Sequence, residues 1–60
     1  MSKYDLQRRT GDGATVEWTY DNEREAVEQG RRNAESSPGE VWEVVKEDEP
    51  LFTLVWSSDD

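Results

Sequence analysis

The 60-residue chain contains no cysteine and no histidine. The first absence excludes a disulfide, and the two together exclude a zinc site built from thiolates and imidazoles. They also remove the nucleophile–histidine pair and the commonest general base of enzymes. Positive charge is scarce: Lys and Arg total 7 against 15 Asp and Glu, for a formal net charge of -8. Such a chain repels phosphates, so it is not expected to bind nucleic acid directly, and anionic membranes are disfavoured for the same reason. No run approaches the roughly 20 apolar residues of a membrane span. The opening MSKYDLQRR has no apolar stretch after its charges, unlike a signal peptide. A soluble, cytoplasmic, non-enzymatic protein is expected.

Apolar side chains are scarce too, at 32% of residues. A domain this small buries a modest share of its surface and usually adds a disulfide, a metal or a second subunit. With cysteine and histidine missing, the second subunit is the device left, so a homodimer is expected. The acid excess has three readings. It serves solubility, above all in a high-salt cytoplasm where screening relieves self-repulsion. It forms a docking surface for a basic partner. Or it mimics DNA and occludes a nucleic-acid-binding protein.

What remains is periodic. Residues 4–8 alternate, with Tyr4 and Leu6 on one face, as in a half-buried strand. Gly11-Asp12-Gly13 is hairpin chemistry, and strand pattern follows it, so it is not a phosphate cradle. Residues 15–20 alternate again, with Val16, Trp18 and Tyr20 together and Thr15, Glu17 and Thr19 opposite. The period then lengthens. Asn22 is placed to cap a helix, with Glu25 as its capping-box partner. Ala26, Val27, Gly30 and Ala34 form an apolar stripe of small residues. Glu28 and Arg32 are spaced to pair. A glycine in mid-helix implies close approach of something bulky, Trp18 or Trp42 by this reading. Pro38-Gly39 ends the helix in a turn. Strands follow over residues 40–46 and 51–57, with a turn at residues 47–50 and a frayed acidic tail at 58–60.

The expected architecture is α+β: a single domain over residues 1–60, two layers in the order ββαββ, one helix packed on a four-stranded, mainly antiparallel sheet. Tyr4, Leu6, Val16, Trp18, Tyr20, Trp42, Val44, Phe52, Leu54 and Trp56 are expected to face the helix. The other face would hold Val41, Val45, Thr53, Val55, Thr15 and Thr19, with Leu51. One short helix cannot cover both sides of a sheet, so that second face is the expected contact surface for a second copy or another protein. The alternative surface is the exposed helix row of Glu25, Glu28 and Glu35, which Arg24, Arg31 and Arg32 interrupt. Glu47-Asp48-Glu49 matches no calcium-loop spacing, so neither a metal nor a cofactor is expected. The layout, a Tyr-Asp strand running into an Ala-containing helix and a Trp-Val strand, resembles that of many short phage and prokaryotic proteins and singles out no family.

Overall fold

Thr10 and Gly13 face each other across a two-residue turn, with strand over residues 3–10 before it and 13–20 after it. The computed structural model describes residues 3–48 and 51–59. Its elements are β1 (Lys3–Thr10), β2 (Gly13–Tyr20), α1 (Glu23–Ser36), β3 (Trp42–Asp48) and β4 (Leu51–Ser57). Among the described residues Gly13 is the one with a positive φ, at 145°, a conformation that L side chains rarely adopt.

The strand order is β2-β1-β3-β4 with every neighbouring pair antiparallel. β2 and β3 both oppose β1, so they run parallel to each other with β1 between them. Parallel strands need a long crossover, and α1 supplies it. The helix therefore lies across the two central strands. It is capped at its start, where Asn22 Oδ1 accepts a hydrogen bond from the Glu25 backbone N–H at 3.2 Å. Glu23 and Glu25 lie in the first turn, where acids suit the helix dipole. At its end Ser37 N–H donates to Asn33 O at 2.9 Å, and Glu40 N–H donates to Ser37 O at 3.0 Å. That second bond closes a β-turn with Pro38 and Gly39 in its central positions. Glu28 pairs with Arg24, at 3.3 Å, rather than with the expected Arg32.

Leu6, Ala26, Trp42 and Val44 are the buried core, with Tyr4, Tyr20, Val27, Ala34, Val55 and Trp56 packed against it. Gly30 is where helix and sheet come closest. A Cβ built there would lie 2.6 Å from Trp56 Cζ3 and 3.3 Å from Leu6 Cδ1. The small stripe of the helix thus receives an indole, as its composition implies, but the indole is that of Trp56 and not Trp18 or Trp42. The expected tail is partly tied down. Ser58 N–H donates to Trp42 O and Trp42 N–H to Ser58 Oγ, both at 2.8 Å, and Asp59 N–H donates to Ser57 Oγ. Residue 60 lies outside the described residues, as do residues 49 and 50 of the turn expected at 47–50, whose Glu47 and Asp48 belong to β3.

Each outer strand contains a β-bulge. In β2 the pairing jumps from Leu6 with Trp18 to Gln7 with Val16, leaving Glu17 as the extra residue. In β4 it jumps from Val44 with Trp56 to Val45 with Leu54, leaving Val55 as the extra residue. A one-residue shift carries every side chain beyond it to the other face. The bulges have a visible cause. Without the first, the turn register would set Glu17 opposite Leu6 over the core and send Trp18 outward. Without the second, Trp56 would oppose Glu43 and lose its place against Gly30.

Candidate interaction surface

The bulges correct the expected division of the faces. Val16, Phe52 and Leu54, expected under the helix, lie on the helix-free side, opposite Gln7, Glu47 and Val45. Val55, expected on that side, packs against the core. Thr53 and Thr15 pair with Lys46 and Arg8, which alternate onto the helix side with Val44 and Leu6. Val45 and Thr19 are on the helix-free face, as expected. So is Val41 by alternation, its carbonyl accepting from Arg9 N–H at 2.9 Å. Trp18 does point to the helix side, but α1 packs mainly on β1 and β3 and the residue stays 65% exposed.

The helix-free face is therefore built differently from the valine–threonine surface read from the sequence. Val16 is 50% exposed, Phe52 65% and Leu54 54%. Together with Asp5, Gln7, Glu43 and Val45 they line an open concavity of about 510 Å³. Val16 stands on one outer strand and Phe52 and Leu54 on the other, so apolar margins flank a floor from the central strands.

The acids on that floor are engaged. Asp5 Oδ1 accepts from the Thr19 hydroxyl at 2.9 Å. Glu43, only 8% exposed, accepts from Arg9 Nη2 at 2.5 Å. Arg9 also reaches Asp59 at 3.7 Å. The hydrogen bond and charge of Glu43 hold the Arg9 guanidinium above its ordinary pKa, with partial desolvation opposing and Asp59 adding to the rise. Across the strands, this face carries Lys3 and Arg9 against Asp5, Glu43 and Glu47, one net negative charge of the chain's eight.

On the other side of the molecule Glu25, Glu28 and Glu35 are exposed along the helix, with Arg24 bonded to Glu28 among them. Among the described residues no group of acids is arranged to hold a metal ion, and no helix is long and apolar enough to cross a membrane. No family model, curated protein or solved structure matches this chain.

Proposed function

We propose that this chain is a small acidic, non-enzymatic protein–protein interaction module that works through the helix-free face of its sheet. The observation carrying this reading is the exposure of Val16, Phe52 and Leu54 around one concavity, in a chain with few apolar residues to spare. Val45, Phe52 and Leu54 form the apolar patch, with Val16 across a polar floor, and apolar patches rimmed by polar groups mark contact sites on soluble domains. The lining offers two carboxylates, one amide and apolar chains, and internal partners already hold both carboxylates. That favours contact over catalysis. The acidic-helix reading has less support, because the Arg24–Glu28 pair breaks the row of negative charge that mimicry of DNA would need.

A photo-crosslinking residue placed at position 54 is expected to give protein adducts in native cells, while the same residue at position 28 on the helix gives none. Adducts confined to position 28 would overturn the placement.

A further inference from the structure

We infer that the occupant of the helix-free face is a second copy of this chain, two copies meeting sheet to sheet about a two-fold axis in an association that salt strengthens. The inference rests on the reading of that face as a contact surface and specifies what covers it.

Charge is the first argument. Two chains of net charge -8 repel, and they approach at low cost through a surface that contributes little to that charge. The strand residues of the helix-free face sum to a single negative charge. A face with one net charge offers a basic partner little attraction. The acids on the concavity floor already have partners in Thr19 and Arg9, which lessens the penalty of covering them.

The sheet margins supply the second argument. Copies could also associate by extending the sheet through β2 or β4. Both of these edge strands are bulged, at Glu17 and at Val55, and bulges blunt an edge against strand addition. Face-to-face contact is the mode left open.

Shape is the third. Phe52 and Leu54 form an apolar ridge beside the concavity, and Val16 closes its far side. In a two-fold arrangement each copy's ridge enters the other's concavity, since a contact of one residue with another is repeated in reverse. Strands of this length, four abreast, give a face of roughly 600 Å² with side chains. That is the low end of what each partner buries in a specific interface, and it points to a reversible dimer.

Sedimentation equilibrium of the purified full chain tests this over a range of protein concentrations. The expected result is a species of twice 7.0 kDa. Its dissociation constant should fall at least about tenfold between about 0.05 M and about 1 M NaCl, as screening shortens the reach of like charges. Leu54→Asp and Phe52→Asp should each weaken association at least about tenfold while circular dichroism stays that of the wild type, because both positions are exposed in the single chain. Glu28→Gln on the helix should not weaken it. A wild-type chain of monomer mass at every concentration and salt level would overturn the second copy, leaving the contact surface itself to the position-54 adducts. A dimer that survives both face variants would overturn the inference and the surface together. Weakening of the dimer by salt would also overturn it, since ionic contacts would then be holding the copies.

Discussion

Replacing Gly30 with alanine sets two known effects against each other at one atom. In an ordinary exposed helix the change stabilises by about 1 kcal/mol, because alanine is the better helix former. Here the new methyl carbon would sit 2.6 Å from Trp56 Cζ3, 3.2 Å from Trp56 Cε3 and 3.3 Å from Leu6 Cδ1. Carbon atoms in good contact are about 3.5–4.0 Å apart, so the indole must retreat by about 1 Å. The ring is rigid, and Leu6, 1% exposed, has little free space to yield into. Overpacking of this kind costs about 1–3 kcal/mol. The clash therefore wins or breaks even, and Gly30→Ala is expected to destabilise by up to about 2 kcal/mol. For a domain of this size each kcal/mol moves the melting temperature by about 4–8 °C. Thermal melts at one fixed protein concentration and salt level read the change free of any shift in association. The combination with Trp56→Leu supplies the decisive control. If the ring is the obstacle, the double variant should be more stable than the sum of the two single losses, by at least about 1 kcal/mol of coupling. A Gly30→Ala protein that melts above the wild type would refute the reasoning, because α1 could not then rest on Trp56.

Two further perturbations separate the core from its surroundings. Trp42→Ala should cost about 3–5 kcal/mol, enough to unfold so small a domain, whereas Trp18→Ala should cost under about 1 kcal/mol. Tryptophan fluorescence checks the same contrast, since acrylamide should quench Trp18 far more readily than Trp42, which is 7% exposed. Arg9→Gln should lower the melting temperature by leaving the nearly buried Glu43 carboxylate without its cation. Arg9→Gln with Glu43→Gln should recover part of that loss, and a double variant no more stable than Arg9→Gln alone would show that the pair is not coupled.

The element types were legible because each rests on a local signal. Tyr4 and Leu6 alternate, Asn22 stands before an acid-rich first turn, and Pro38-Gly39 stops the helix. The smallness of the helix stripe also announced a bulky neighbour for Gly30. The faces of the outer strands were not legible, for a reason of register. In β4 apolar residues occupy both parities, Phe52 and Leu54 on one and Leu51 and Val55 on the other, so alternation alone cannot say which side is inward. Pairing fixes it. Asp48 opposite Leu51 sets Phe52 against Glu47 and Leu54 against Val45, both outward, and the bulge at Val55 then brings Trp56 back over Gly30. In the first hairpin the two-residue turn followed by a bulge leaves Val16 outside and returns Trp18 to the helix side. No residue type marks Glu17 or Val55 as extra. The signal is a conflict, visible only when the turn register is compared with the aromatic pattern.

The two bulges tie the packing of the core to the character of the opposite face. Each keeps a tryptophan on the side where the helix lies, while the pairing ahead of it leaves Val16, Phe52 and Leu54 on the side where no helix lies. Had solvation been the whole role of that outer face, Val16, Phe52 and Leu54 would be natural places for some of the chain's 15 acids, since nothing within the described chain packs over them. Asp5 and Glu43 on that face are restrained by Thr19 and Arg9, while exposed acids such as Asp12, Asp21, Glu25, Glu35 and Glu40 stand on the turns and the helix. Acids spread over the turns and the helix, with apolar margins kept on one face, are what a chain needs if it is to stay dissolved and still meet a partner by one surface alone.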